Sequence, residues 1–365
     1  MKHRSRSVVA GLLALLALSS CEKPGDYNAD NFDRFDPNSP LQLMTAPQVP
    51  RTGAVATLND NRGLLVGGIV SSTASGATDP VNDVEIYNPA TDSWTTVAPM
   101  LKFRLFPATA TVADGRVLVV GDNTTSTTPI RNGAQVYDPK ANRWTPLPAP
   151  ALANYEEPAA LGLRGPGNRA LLTGSLGLVL LNLDTGVATV MASFSGARGA
   201  ALALLKDGRV LCTYANRYYL FSPVSNSIVQ TGLLRYPRYF AGAVTGDDGR
   251  VYIAGGITGA LRTFSSAPVR GIEVFDPDSA RLVRTPVGLQ REGGYACVGM
   301  YQRDQRLLYL ADGGGDALDD LNSKRSVDLL PFPSGAHSRR SGQLTDGRLI
   351  VLPNTIVDLT KYPRP

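Results

Sequence analysis

The sequence predicts an all-β protein assembled from seven repeats of a four-stranded antiparallel unit. One observation is a hairpin pattern, seen at residues 112–121, in which two apolar strands flank an Asp-Gly turn. Asp and Gly suit such a turn because they tolerate positive φ best. A second observation is that this hairpin pattern recurs. Its turn arginines are at positions 62, 116, 169, 209, 250, 306 and 348, which are 40 to 56 residues apart. Periods in this range are typical of repeat architectures.

The first two repeats show the four strands in order. In repeat one, strand a covers residues 51–58, and strand b follows the turn at Asp60 over residues 63–68. Strand c then covers 84–89 and strand d covers 92–97, and repeat two copies this order over residues 104–144. Each run is short and bounded by turn residues, as strands are. The high content of turn formers, 37 Gly and 26 Pro in 365 residues, agrees with many short strands.

Three features resemble the kelch-repeat β-propellers. They are Gly67-Gly68 after strand b, Tyr137-Asp138-Pro139 closing strand c, and a tryptophan in strand d at Trp94 and Trp144. The features return in part in repeat five, whereas repeats three, four, six and seven have drifted. The resemblance implies a β-propeller, and the seven hairpin turns predict seven blades, each of four antiparallel strands. We interpret nearly all of these Trp, Tyr and Gly residues as core packing, since Gly allows close backbone approach and aromatic rings fill the space between sheets.

The last repeat ends after strand c, at residues 355–359, so it lacks a strand of its own. Residues 41–45 precede the first repeat and have no partner there. We therefore predict that this N-terminal strand completes the last blade and leaves no open edge.

Residues 1–20 are predicted to be a lipoprotein signal peptide, with a basic start and an apolar run from Val8 to Leu18 that is too short to span a bilayer comfortably. The segment Leu18-Ser19-Ser20-Cys21 resembles the lipobox of bacterial lipoproteins, which implies lipidation of Cys21. The alternative is an ordinary secretory signal with a stray cysteine. We expect residues 21–40 to be a tether and residues 41–362 the propeller, anchored at the inner or outer membrane of the bacterial cell envelope, in the periplasm or outside.

The charge does not favour nucleic acid as a partner. The formal net charge is +5, but three of the 36 basic residues lie in the leader, so 33 basic residues face 31 acidic ones in the remainder, a net +2. No basic run occurs in the body of the chain.

The sequence predicts no catalytic residue, metal or cofactor. Of the two histidines His3 lies in the leader, and His337 alone cannot build the copper site of galactose-oxidase-type kelch enzymes or a His-rich zinc site. No Gly-x-Ser-x-Gly motif accompanies it. We interpret the acidic loop at residues 312–320 as a solvated turn rather than a calcium site. Cys212 and Cys297 lie in apolar runs, and the sequence leaves open whether they pair.

A ligand site is predicted where strand a begins. Counting back 11 or 12 residues from the turn arginines leads to one position per repeat, and Arg291 fills that place in repeat six. The resulting channel-mouth set is Arg51, Arg104, Glu157, Arg198, Arg238, Arg291 and His337. Arginine binds carboxylates bidentately, so we predict an anionic peptide, protein or glycan as ligand. The alternative is that each arginine only hydrogen-bonds carbonyls of a neighbouring blade.

These observations favour a non-catalytic binding module, which we expect to be monomeric. A carbohydrate-active kelch enzyme is the alternative. It would resemble the sialic-acid mutarotases and use Glu157 with the channel arginines for general acid-base chemistry.

Overall fold

A computed structural model describes residues 41–71, 78–105, 107–121, 133–149, 152, 158–194, 199–259, 267–289, 297–303, 306–311, 317–320, 325–328, 341–352, 355–358 and 361. In this part of the chain the regular structure consists of antiparallel β-sheets. The first strand, β1 (Leu41–Leu43), joins the last sheet, and the others follow the order of the repeats.

The sheets are built from consecutive strands. The first sheet contains β2 (Thr52–Thr57), β3 (Gly63–Ser71), β5 (Val84–Asn88) and β6 (Ser93–Thr96), with β4 (Thr78–Pro80) paired to β3. The second contains β7 (Ala108–Thr111), β8 (Val117–Val120), β9 (Ala134–Asp138) and β10 (Arg143–Leu147). The third contains β11 (Ala159–Gly162), β12 (Arg169–Gly174), β13 (Gly177–Asn182) and β14 (Ala188–Ala192).

The remaining sheets continue this order. The fourth contains β15 (Ala201–Leu204), β16 (Val210–Ser222) and β17 (Ser227–Arg238), and the fifth contains β18 (Gly242–Thr245), β19 (Val251–Ala254), β20 (Gly271–Asp276) and β21 (Arg281–Gly288). The sixth contains β22 (Cys297–Arg303), β23 (Arg306–Ala311), β24 (Ala317–Asp320) and β25 (Arg325–Asp328). The last contains β26 (Ser341–Gln343), β27 (Leu349–Val351), β28 (Thr355–Val357) and β1.

The prediction of seven four-stranded blades is wrong. Among the described residues, six sheets have four or more strands and form complete blades, whereas the fourth sheet has three strands. Its central strand β16 runs for 13 residues, pairing with β15 through its first part and with β17 through its second. At Ala215 this strand has φ 52°, close to the 54° of Gly67 in β3, and its ladder with β17 shifts register between Ala215 and Arg217.

The predicted closure of the ring is confirmed. Strand β1 pairs antiparallel with β28, and Leu41 lies opposite Val357. The first strands of successive sheets contact one another in a ring that returns from β26 to β2. Thr57 Oγ1 donates a hydrogen bond to the Gln343 carbonyl across this closing junction, and Thr111 Oγ1 repeats the contact to the Thr57 carbonyl at 2.6 Å. The fold is therefore an all-β propeller.

The core lies between adjacent sheets. The interface of the first and second sheets buries Leu64, Val66, Ile86, Val117, Val119 and Tyr137. Such side chains alternate with residues that face the opposite neighbour, so each sheet buries both of its faces. Burial of apolar area on both faces is the main contribution to the stability of such a repeat.

The tryptophans pack as predicted. The Trp94 and Tyr87 ring centroids are 5.0 Å apart, and Trp94 Nε1 donates to the Thr45 carbonyl at 2.6 Å. Trp144 and Tyr137 repeat this arrangement, with their centroids also 5.0 Å apart. Each indole fills space in the core and satisfies its N–H group.

The glycines after the second strand also match the prediction. Gly67 has φ 54°, and a Cβ atom there would lie 2.8 Å from the carbonyl oxygen of Arg104 in the next sheet. A Cβ atom on Gly255 would lie 2.1 Å from the Tyr309 hydroxyl oxygen, again in the next sheet. These positions need glycine because neighbouring sheets approach too closely for a side chain.

Candidate functional site

The two ends of the propeller differ in their chemistry. We call the end that carries the hairpins between the first and second strands, such as Asp114-Gly115, the turn end. The opposite end carries the starts of the first strands and the connections between the second and third strands, and we call it the loop end. Arg51 lies directly before β2, Arg104 lies shortly before β7 and Arg238 ends β17 just before β18, so all three lie at the loop end.

The structure describes three of the seven predicted channel-mouth residues. Arg51, Arg104 and Arg238 are 4%, 1% and 1% exposed. Glu157, Arg198, Arg291 and His337 lie outside the described residues, as does the predicted lipidation site Cys21. The structure therefore does not bring the predicted set together as a whole.

Arg51 is held by backbone carbonyls and one carboxylate. Its Nε donates to the Gly67 carbonyl at 2.9 Å, and Nη2 donates to the Asp83 carbonyl at 3.2 Å. Its Nη1 donates to Glu85 Oε2 in β5, where the Glu85 side chain is 1% exposed. The guanidinium thus connects the segment before β2 to the second and third strands of the same sheet.

Arg238 has an equivalent set of partners in the fifth sheet. Nη1 donates to the Gly255 carbonyl at 3.1 Å, and Nη2 donates to the Gly271 carbonyl and Glu273 Oε2, each at 2.8 Å. Burial lowers the pKa of Arg238, and the adjacent Glu273 carboxylate opposes that shift.

Arg104 differs because the third strand of its sheet carries an amide instead of a carboxylate. Gln135 stands in β9 where the other two sheets have Glu85 and Glu273. The Arg104 Nη1 donates to the Gly121 carbonyl at 2.8 Å. Burial lowers the pKa of Arg104 to about 10.

We refer to Arg51 with Glu85, Arg104 with Gln135, and Arg238 with Glu273 as the arginine clasps. Glu85 and Glu273 bind their arginines directly, and in all three clasps the acid or amide accepts a hydrogen bond from a backbone N–H three residues before the arginine. These distances are 2.6 Å from Gln48 N, 2.9 Å from Leu101 N and 2.6 Å from Arg235 N. Arg51 and Arg104 bind carbonyls of the sheet that they precede, whereas Arg238, at the end of β17, binds carbonyls of the neighbouring fifth sheet.

The sequence analysis missed the acid and amide partners. Glu85, Gln135 and Glu273 each lie two residues before an aromatic residue of the third strand. From the sequence, this position is part of a strand and nothing more. The signal was present in the repeated order of Glu or Gln, an apolar residue, then Tyr or Phe. It could be recognised as a partner only once the arginine was placed beside it.

Exposed basic side chains also lie at the loop end. Lys102 precedes β7, Arg217 lies in β16 near its central bend, Arg235 lies near the end of β17, and Arg270 precedes β20; all four are exposed. The Arg235 guanidinium carbon is 5.6 Å from the Tyr236 ring centroid, a cation–π geometry.

An aromatic cluster lies beside these residues. The Phe194 and Tyr214 rings stack with centroids 4.9 Å apart, and the Tyr219 ring is also 4.9 Å from Phe194. The Tyr239 ring meets Tyr214 edge-on at 5.6 Å. The three tyrosines are half-buried, and burial raises the pKa of Tyr214 and Tyr219. Rings at the ends of strands with one part buried and one part in water are a common binding surface.

At the turn end, arginine and aspartate side chains of the hairpins form ion pairs. Arg116 binds Asp114 within its own turn through Nε and Oδ2 at 2.6 Å, and its Nη2 also binds Asp184 of the next sheet. The hydrogen bond from Arg62 holds the pKa of Asp60 below its usual value, and the hydrogen bond from Arg116 does the same for Asp184. Such pairs leave little net field at this end.

Other potential sites are limited in the part of the chain described above. No group of three or more His, Cys, Asp and Glu residues there could hold a metal ion. Within the same residues, no helix has the length and apolar character needed to cross a membrane. Cys212 is a buried free thiol, and burial raises its pKa.

Comparison with known proteins identifies the repeat. The Kelch motif model matches residues 50–101, which contain the first sheet. An F-box/kelch-repeat protein of Arabidopsis thaliana is 35% identical over 101 residues, which are 27% of this chain and 27% of that protein. Kelch-like protein 36 of Mus musculus is 39% identical over 62 residues, which are 17% of this chain and 10% of that protein. The chain thus spans about a quarter or less of these relatives. The first sheet thus matches the Kelch motif, and the fold of the chain is an all-β propeller.

Proposed function

We propose that the propeller is a non-catalytic protein-interaction module that binds an acidic peptide segment at its loop end. The observation that carries this proposal is the contrast between the two ends. Exposed Lys102, Arg217, Arg235 and Arg270 lie at the loop end, whereas turn-end arginines such as Arg116 and Arg209 bind aspartates. Exposed basic groups attract an anionic partner and speed its association.

The arginine clasps act in this proposal as positioning elements. Each clasp fixes the segment that enters a sheet against the third strand of that sheet. Connections held on a rigid scaffold are where binding residues usually lie. Direct ligand contact by Arg51, Arg104 and Arg238 stays a prediction. Their burial supports a role in which they position the connections of the loop end.

We further propose that residues 1–20 are removed and that lipidated Cys21 holds the propeller at the cell envelope. The support is the lipobox-like segment that ends at Cys21. One acyl chain gives only marginal membrane binding, so this anchor would carry more than one. The alternative enzyme with Glu157 gains no support from the described residues.

Binding of a fluorescent oligoglutamate peptide tests the loop-end site. The full chain should bind the peptide more weakly as salt rises, since the attraction is screened. Reversing two charges with Arg217→Glu and Arg235→Glu should weaken binding about tenfold or more, equivalent to about 1.4 kcal/mol. Lys140→Glu is the matched control, because Lys140 is exposed at the turn end and should leave binding unchanged.

Three outcomes would contradict the proposal. Absence of oligoglutamate binding at low salt would exclude acidic peptides as the partner class. Binding of oligogalacturonate alone would assign the site to acidic glycans instead. Equal loss in the Lys140→Glu variant would show that net charge, not the loop end, controls binding.

A further inference from the structure

The exposed apolar side chains of the propeller are concentrated on one side. Among the described residues, the large apolar side chains that remain exposed fall, with the exception of Leu101, between residues 176 and 236. This range covers parts of the third and fourth sheets, whose first strands β11 and β15 are in contact. Concentrated apolar exposure marks interaction surfaces, whereas scattered residues do not.

Strand β17 forms the outer edge of the fourth sheet and is the longest of the described edge strands, with 12 residues. Its first eight residues, 227–234, contain neither a charge nor a proline. Edges β10 and β21 both carry arginines and a proline, and the uncharged edges β6 and β14 have four and five residues. Charges, prolines and short length are usual protections against edge-to-edge pairing, and residues 227–234 have none of these three. The ladder between β17 and β16 shifts register at Val229 and is regular from Gln230 to Leu233.

One face of β17 is held firmly in place. Gln230 Nε2 donates to the Ala280 carbonyl in the next sheet at 2.7 Å and to the Tyr218 hydroxyl at 2.9 Å. Leu234 is buried in the core with Leu220. On the other face Val229 and Leu233 are 51% and 60% exposed, and Thr231 between them is exposed as well. The strand therefore presents a row of uncharged side chains, and no described strand pairs with its outer edge.

We propose that β17 is the docking strand for a second copy of this chain, which pairs with it antiparallel about a two-fold axis at Thr231. This register places Val229 opposite Leu233 of the second copy, and Thr231 opposite itself. Apolar cross-strand pairs of this kind stabilise a sheet. Arg235 lies opposite Ser227, so no like charges meet. A two-fold contact needs such a self-complementary surface, and it closes with two copies.

A second copy fits this edge better than the acidic partner proposed above. The edge from Ser227 to Leu234 offers no positive charge to attract an acidic segment. Its apolar residues are arranged symmetrically about Thr231, which suits an identical strand in the opposite direction. The dimer would leave Lys102, Arg217 and Arg270 outside the paired strand and Arg235 at its end, so each copy could still bind its own ligand.

Sedimentation analysis of the full chain carrying Cys21→Ser tests this proposal without a contribution from a lipid. We expect a dimer over a micromolar concentration series. Thr231→Lys should convert it to a monomer, because two lysines would face each other at the axis. Thr145→Lys is the matched control, since Thr145 is an exposed threonine on the edge strand β10, and it should leave the dimer intact.

A cysteine at the axis gives a second measurement that does not depend on the lysine variant. Thr231→Cys should form a disulfide between copies under mild oxidation, since directly opposed residues lie within the range that a disulfide bridges. Thr145→Cys should remain uncrosslinked. A monomer at every concentration, a dimer that survives Thr231→Lys, or equal crosslinking of both cysteine variants would each overturn the proposal.

Discussion

Replacing Glu85 with leucine tests whether the arginine clasps hold the loop end together. The change removes the carboxylate that is bonded to the buried Arg51, and among the described residues leaves that guanidinium with carbonyl partners. Removing one partner of a buried ion pair costs about 3–5 kcal/mol, because the other charge stays buried without its counterion. We expect Glu85→Leu to lower the free energy of unfolding by that amount.

Gln135→Leu is the matched comparison, because Gln135 occupies the same position in β9 but is neutral. Its loss leaves the Leu101 N–H and the Lys102 carbonyl without their side-chain partner, and both residues are exposed. Leaving neutral groups without a hydrogen bond costs about 1–3 kcal/mol of stability. Because water can reach these two groups, we expect the cost to be about 1 kcal/mol. Glu85→Leu should therefore cost about 2 kcal/mol more than Gln135→Leu.

Urea unfolding followed by tryptophan fluorescence measures both variants, with Trp94 and Trp144 reporting on the first two sheets. The double variant Arg51→Met with Glu85→Leu should recover most of the loss, since both charges are then absent. Equal costs for Glu85→Leu and Gln135→Leu would refute the reasoning. A double variant less stable than Glu85→Leu alone would refute it as well.

Three further predictions concern other parts of the chain. Gly67→Ala should lower the urea midpoint much more than Gly208→Ala, because both have positive φ but a Cβ on Gly208 meets nothing within 4 Å. Asp60→Asn should make the fall in stability below pH 4 less steep. The bond from Arg62 lowers the Asp60 pKa from 3.8, so that stabilisation is present above this value and is lost as pH falls through the lowered pKa. Cys21→Ser should move the protein from the membrane to the aqueous fraction of cells, and unchanged fractionation would contradict the lipid anchor.

The positions of the hairpins could be predicted because their chemistry is local. Gly115, Gly208, Gly249 and Gly347 have φ between 83° and 91°, as their turns require. The exact turn differs from the expected one, in which both central residues have positive φ. At residue 114 the aspartate does not, and its carboxylate accepts the Arg116 N–H at 3.0 Å instead. An aspartate can thus cap a turn through its side chain.

The clasps and the three-stranded sheet could not be predicted because they depend on contacts between distant residues. Glu85 alternates with buried residues in its strand, and that pattern normally indicates a solvent-facing side chain. Only the fold shows that Arg51, 34 residues away, covers it. In β16 the chain bends at Ala215, which takes a positive φ although the sequence has no glycine there.

The pairing of Leu41 with Val357 has a consequence for the order of events during synthesis. A ribosome adds about 5–20 residues per second, so the partner of β1 emerges roughly 15 to 60 s after β1 itself. Until then the first and last inner strands, β2 and β26, lack each other as neighbours, and the interface between them stays open. Closing it joins segments at opposite ends of the chain, the kind of contact that slows folding most. The propeller therefore reaches its closed form only after translation of nearly the whole chain, and until then the first sheet has one apolar face without a neighbour.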